Sequence, residues 1–214
     1  MDNYEYIVAS LPVLRPEDSR SDNVNAEALI AEIREQLSGR DQAVLDQLLA
    51  GYDDEQLTED FYRQILRNKN RFLREWFRFD LDLRNATVGY LNHQLHRAPD
   101  HDKILLEERE MEEFPELEAA EHILRGKDIL QRERGLDELR WHKVDEITLL
   151  DYFDLETLLG YVAKLKIIDR WLQLDPDSGG REFRVREDMV GKASRLLYNT
   201  GLIGREVSYK ELMP

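Results

Sequence analysis

The apolar residues of this chain recur every three or four positions over most of its length, and this spacing restricts the folds that it can adopt. The longest run spans about residues 154–174 and places eight apolar side chains on one side of a helical wheel: Leu155, Leu158, Leu159, Val162, Leu165, Ile168, Trp171 and Leu172. Such a stripe is typical of an amphipathic α-helix with one buried face. The pattern predicts an all-α fold, a helical bundle of about seven or eight helices. We expect a single domain, 1–214, with candidate sub-units 25–98 and 112–214.

Capping and helix-breaking residues indicate where the helices begin and end. Asn25 or Asp22 is the predicted start of the first long helix, which stops near Ser38 and Gly39. Pro115 is the predicted start of a helix that ends near Gly126. Further helices are predicted near 44–51, 55–78, 81–95, 127–147, 154–174 and 185–200.

The segment YEYIVASLP, residues 4–12, differs from the helical texture that follows it. Tyr4, Tyr6 and Val8 occupy every second position before Pro12, as in a short strand. We therefore predict a short extended segment at the N-terminus.

The charge balance restricts the class of partner. The 214 residues include 45 acidic and 30 basic side chains, a formal net charge of -15, which repels phosphate backbones. There are no cysteines, so disulfides, thiolate metal sites and cysteine nucleophiles are excluded. The start, Met1-Asp2-Asn3, lacks a basic and apolar signal pattern, and no apolar run approaches the ~20 residues that span a bilayer. We expect a cytoplasmic protein with no nucleic-acid ligand and no direct membrane insertion.

Five arginines recur on one side of the predicted helix 55–78, opposite its aromatic residues: Arg63, Arg67, Arg71, Arg74 and Arg78. This arginine stripe is a predicted partner-binding surface for an acidic protein. It has an internal alternative, because the chain's own segment 107–121 holds eight glutamates. The net charge disfavours nucleic acid or lipid headgroups as a third use.

The letters FDL followed by a carboxylate occur twice, first at Phe79 and again at Phe153. Asp80 and Asp154 are predicted helix caps, and each phenylalanine is a predicted staple against the helix that follows. The repetition suggests two related helical units.

Asp82, Arg84 and Asn85 form a predicted polar cluster in the first copy. Arg84 projects from the apolar side of its helix, and a buried guanidinium that lacks a partner costs several kcal/mol. We expect it to pair with Asp82 or with a carboxylate of the second copy. A structural polar cluster and a binding-site arginine are both open interpretations.

Four short phrases carry a resemblance to known proteins. Asp82-Leu-Arg-Asn85 resembles the D-x-x-N pattern of the helical C, or d, subunits of V/A-type ATPases. The phrase at 4–12, the FDLE at 153–156 and the RWLQLD at 170–175 resemble a shorter helical family of unknown function that is associated with bacterial V/A-type ATPases.

That resemblance implies a non-catalytic protein without a cofactor. Its expected role is that of an accessory or C-subunit-like component that links or assembles the central stalk and membrane ring. The implied partners are stalk or ring subunits of the ATPase, and the implied location is cytoplasmic, peripheral to the membrane through the complex.

Two other functions are alternatives. His93, His96 and His101 lie near Asp100 and Asp102, a composition that suits a metal-binding helical enzyme. The paired Glu-x-x-His motifs of di-iron bundles do not occur, nor do the phosphate-loop, dinucleotide and nucleophile-elbow motifs. A stand-alone protein–protein adaptor is the second alternative.

Overall fold

A computed structural model describes residues 4–16, 18, 25–106 and 113–172, and all the regular structure in those ranges is helical. Eight α-helices follow one another there without a strand: α1 (Glu5–Ser10), α2 (Ala26–Gln36), α3 (Gly39–Ala50), α4 (Glu59–Ile65), α5 (Arg71–Gln94), α6 (Leu117–Leu124), α7 (Ile129–Ile147) and α8 (Leu155–Leu172). The all-α prediction is confirmed. The helix predicted at 185–200 lies outside the described residues.

Side-chain caps fix most of the helix starts. A side-chain oxygen at the residue before the helix accepts a hydrogen bond from a backbone N–H of the first turn, which satisfies a donor that the helix leaves free. The residues that do so are Asn25, Ser38, Thr58, Asn70, Asp128 and Asp154. The predicted starts at Asn25 and Asp154 are confirmed.

The single helix predicted over 55–78 is wrong, because the chain turns at 66–70 between α4 and α5. Asn70 caps α5 by accepting from the Leu73 amide at 3.0 Å, and Arg74 donates to the Lys69 carbonyl at 2.8 Å. Asparagine side chains compete with helical hydrogen bonds and so favour caps and turns. The helix that starts here runs on to Gln94.

The extended segment predicted at the N-terminus is also wrong, since Glu5–Ser10 forms α1. Tyr4 and Ile7 are both buried, and they are three positions apart on one helical face. Tyr6, between them, is 79% exposed. The apolar spacing of residues 4–12 is compatible with both a strand and a helix. Burial of Tyr4 and Ile7 on one face favours the helix.

One hydrophobic core joins all eight helices, with α5 and α8 at its centre. Helix α5 packs against α4, α6, α7 and α8, while α8 packs against α2, α3, α5 and α7. Phe72 and Phe77 on α5 and Leu159 and Val162 on α8 are almost entirely buried. None of the described helices is both long enough and apolar enough to cross a bilayer. Helices α5 and α8 therefore position the polar side chains of the candidate site.

Candidate functional site

The arginine stripe does not lie on one continuous helix, because its members belong to two helices and the turn between them. Arg63 belongs to α4, Arg67 to the turn, and Arg71, Arg74 and Arg78 to α5. The wheel that aligned them assumed one unbroken helix. Whether a partner uses any of them stays a prediction.

All five arginines interact with other residues of the chain. Arg63 pairs with Glu59 on its own helix at 2.5 Å, and Arg74 closes the turn before α5. Arg71 donates to the Ile147 carbonyl at 2.8 Å and forms an ion pair with Asp151. Burial lowers the pKa of Arg71, but the hydrogen bond and charge of Asp151 outweigh it and raise that pKa. Arg71 therefore joins α5 to the end of α7, and not to the acidic segment that the sequence suggested.

The α7–α8 loop, residues 148–154, is held by contacts from the residue before α1 and from the first residue of α5. The Tyr4 amide donates to the Phe153 carbonyl at 2.8 Å, and Arg71 holds Asp151. Within the loop, the Asp151 amide donates to the Thr148 carbonyl at 3.0 Å. These hydrogen bonds fix the path of the backbone.

The start of α8 lies against the start of α5. Asn70 donates to a carboxylate oxygen of Glu156 at 3.1 Å. Gly160 allows a close approach on the next turn, because a Cβ there would lie 2.7 Å from Thr148 Cγ2. The loop is thus seated on the α5/α8 centre of the fold.

Arg84 pairs with Asp80, one helical turn earlier, rather than with Asp82. Its Nε lies 2.8 Å from Asp80 Oδ2, and the Tyr62 hydroxyl donates to the same oxygen at 2.7 Å. Burial lowers the pKa of Arg84, but Asp80, Tyr62 and Asp54 together raise it by more. Burial and Asp80 together raise the pKa of Tyr62. Residues four apart share a helix face and residues two apart do not, which is why Asp80 and not Asp82 is the partner.

Asp80 is therefore not a helix cap, since it lies in the middle of α5. Of the two FDL phrases only the second precedes a helix, where Asp154 accepts from the Thr157 amide at 3.1 Å. Phe79 is buried and Phe153 is 46% exposed. The two copies occupy different environments, and the two related helical units stay a prediction.

Asn85 binds the backbone of the segment after α5. Its side-chain amide donates to the Ile104 carbonyl at 2.8 Å and accepts from the Ile104 amide at 3.0 Å. Two turns later, Asn92 donates to the His101 carbonyl at 2.6 Å. Both asparagines hold the segment 95–106 against α5, so Asn85 has a structural role.

A second buried charge cluster, which the sequence analysis missed, joins α7 to α8. Asp137 accepts hydrogen bonds from Arg140 at 2.9 Å, from Trp171 Nε1 at 2.6 Å and from Arg170. Arg134 lies 4.3 Å from the centroid of the Trp171 ring. Burial lowers the pKa of Arg170, but the Asp137 and Glu133 carboxylates together raise it by more. The available signal was Trp171, because a buried indole N–H needs an acceptor.

The histidines do not assemble into a ligand set. His93 and His96 are exposed, and His101 pairs with its neighbour Asp102 at 2.6 Å. Among the residues that the structure describes, no group of three or more histidine or carboxylate side chains is placed to hold a metal ion.

The cavities beside the two charge clusters are small. One next to Arg84 has a volume of about 40 Å³, and one next to Asp137 about 30 Å³. Binding sites for organic ligands are typically about 300–1,000 Å³. These spaces suit a water molecule or two.

Comparison with known proteins gives a family but no function. No curated protein and no solved structure matches the chain. A family model described as "Protein of unknown function (DUF2764)" matches residues 52–192, which is more than half of the chain. The match includes both charge clusters and the α7–α8 loop. The chain belongs to this family of proteins of unknown function, DUF2764.

Proposed function

We propose that this protein is a non-catalytic accessory component of a V/A-type ATPase, similar to its C subunit, that links or helps assemble the central stalk and the membrane ring. The observation that carries the proposal is the contact between two of the phrases on which the resemblance rests. The Tyr4 amide of the first phrase binds the Phe153 carbonyl of the second at 2.8 Å. Phrases 149 residues apart that meet in the fold support a shared architecture rather than chance similarity.

The two buried carboxylates already accept hydrogen bonds from side chains of the fold, and this supports a non-catalytic role. Asp80 receives donors from Tyr62 and Arg84, and Asp137 receives three donors. A general base must reach the proton that it removes from a substrate, and these carboxylates are committed to side chains of the fold. Their contacts join helices, which suits a rigid protein that binds others.

Deletion of the gene in the native host tests this function. We expect membranes from the deletion strain to hydrolyse ATP with reduced ATP-driven ion uptake, because the stalk and ring are no longer joined correctly. Expression of the protein from a plasmid should restore uptake. Normal uptake and normal subunit composition in the deletion strain would contradict the proposal.

A further inference from the structure

Four large apolar side chains of the α7–α8 loop, close together in sequence, are exposed. Leu149 is 72% exposed, Leu150 81%, Tyr152 69% and Phe153 46%. Single exposed apolar residues are common on protein surfaces, but a contiguous group marks an interaction site. The run is broken only by Asp151, whose side chain turns back to Arg71.

The exposure of these side chains does not come from a loose backbone. Tyr4, Arg71 and Asn70 attach the loop and its flanks to α1 and α5. A loop that is already held in place loses less conformational entropy when a partner binds. The fold therefore presents the apolar side chains in a fixed arrangement.

The charge around the loop indicates the chemistry of the partner. Three carboxylates interact with the guanidinium of Arg71, namely Glu75, Asp151 and Glu156, and Asp154 interacts in turn with Glu156. Burial raises the pKa of the Glu156 carboxyl, and the charges of Asp154 and Asp151 raise it further. Negative charge is thus in local excess, and cations supplied by a partner would neutralise it.

Other occupants fit the loop less well. An anionic membrane surface attracts basic rather than acidic segments. A second copy also carries the net charge of -15 and is repelled.

We infer that the α7–α8 loop is a docking surface for another protein, one that offers an apolar pocket with lysine or arginine side chains at its rim. Leu150 and Tyr152 enter the pocket, and the basic rim faces Asp154 and Glu156. Complementary charge of this kind directs the encounter and selects against acidic surfaces. The surface is independent of whether the partner is an ATPase subunit.

The experiment places a photo-crosslinking amino acid at position 150 of the full chain in the native host. The matched control places it at position 130. Leu130 is likewise an exposed apolar residue, 46% exposed, but it lies at the start of α7, at the end of that helix opposite to the α7–α8 loop. We expect one defined protein to crosslink from position 150, through a peptide that contains lysine or arginine, and not from position 130. Binding of that purified protein should weaken at least tenfold for Tyr152→Ser and remain unchanged for Leu130→Ser. Thermal unfolding of both variants verifies that they are folded.

The outcomes separate this inference from the proposed function. Crosslinking to a stalk or ring subunit supports both, while crosslinking to a different basic protein supports the docking surface and removes the ATPase role. Crosslinks to residues 173–214 or to a second copy would overturn the inference, as would the absence of any product. Flotation of the protein with phosphatidylglycerol vesicles, lost in Leu150→Ser, would overturn it in favour of a membrane surface.

Discussion

At the scale of single residues, the interior is organised by two carboxylates that each bind an arginine of their own helix and an aromatic donor from elsewhere. Asp80 holds Arg84 and the Tyr62 hydroxyl, whereas Asp137 holds Arg140 and the Trp171 indole. Buried ions need such full pairing, and the removal of one member leaves the other charge without compensation. This makes each cluster sensitive to a single substitution.

Arg84→Met tests the Asp80 cluster. Methionine retains much of the length of the side chain but leaves the buried Asp80 carboxylate with only the Tyr62 hydroxyl. We expect the free energy of unfolding in urea to fall by about 3 kcal/mol. Arg125→Met is the control, since Arg125 pairs with Glu121 at an exposed site, and there we expect a loss of no more than about 1 kcal/mol. Equal, small losses would mean that the Arg84 pair behaves as a surface pair.

Glu156→Gln tests the excess negative charge beside the α7–α8 loop. Because the folded pKa of Glu156 is raised above its ordinary value of 4.5, ionisation of this carboxyl is less favourable in the folded than in the unfolded chain. The contribution of Glu156 to the stability of the fold is therefore fully present below pH 4.5 and is lost as the pH rises through the folded pKa. Glutamine keeps an oxygen that accepts from Asn70 and has no charge.

We therefore expect Glu156→Gln to melt at a higher temperature than the wild type at about pH 7. The difference should shrink towards zero at about pH 3.5, where the wild-type carboxyl is protonated. Thermal unfolding at both pH values is the measurement. A less stable variant at neutral pH would show that the carboxylate stabilises the helix start.

At the scale of helices, the tight packing of α8 against the end of α7 depends on Gly160. A Cβ at this position would lie 2.7 Å from Thr148 Cγ2 and 3.2 Å from Val144 Cγ1, and Val144 is fully buried. The close approach fixes where α7 ends and therefore where the α7–α8 loop begins.

Gly160→Ala should destabilise the protein by about 1–3 kcal/mol, because the added methyl group overpacks the interface. Gly39→Ala is the matched control, since a Cβ at Gly39 would meet no atom within 4 Å. In the control, we expect no loss and a gain of up to about 1 kcal/mol from helix propensity. Denaturant unfolding measures the change in the free energy of unfolding for both variants. An equal gain in stability in both would contradict the packing explanation.

The helices that the sequence predicted well are those whose ends are set by local caps. Asn25 and Asp154 start α2 and α8 through hydrogen bonds to residues three positions away, and such contacts can be read from the chain. The break between α4 and α5 could not be predicted by periodicity, because the apolar pattern continues in phase across it. Arg74, which closes that turn, had been assigned to a surface stripe.

The contacts of the candidate site show the same limit: local pairs can be predicted from the sequence, and distant pairs cannot. Asp80 and Arg84 are four positions apart, so their pairing was available from the sequence and was overlooked in favour of Asp82. Asp137 and Trp171 are 34 positions apart, and no local rule joins them. The α7–α8 loop is held by Tyr4 and Arg71, which are distant from it in sequence, so no local rule predicts its path either.

At the scale of the whole molecule, contacts from Tyr4, next to α1, and from Arg71 on α5 hold the α7–α8 loop. Arg71 is the main link, since it binds both the Ile147 carbonyl and Asp151. We expect Arg71→Gln to increase hydrogen exchange of the Asp151 and Tyr4 amides by at least about tenfold, as expected for a local loss of about 1.4 kcal/mol. Arg125→Gln, at an exposed ion pair, should leave both amides unchanged. Unaltered exchange in Arg71→Gln would mean that the loop is held without this arginine.

We propose that this protein is a component of a V/A-type ATPase and binds it through the α7–α8 loop. The most direct measurement is the subunit composition of the ATPase purified from the native host through a tag on a central-stalk subunit. We predict that the protein is present at a fixed ratio to the other subunits and that Leu150→Ser removes it, while Leu130→Ser does not. An intact, active ATPase that contains none of the wild-type protein, from cells that express it, would contradict the claim.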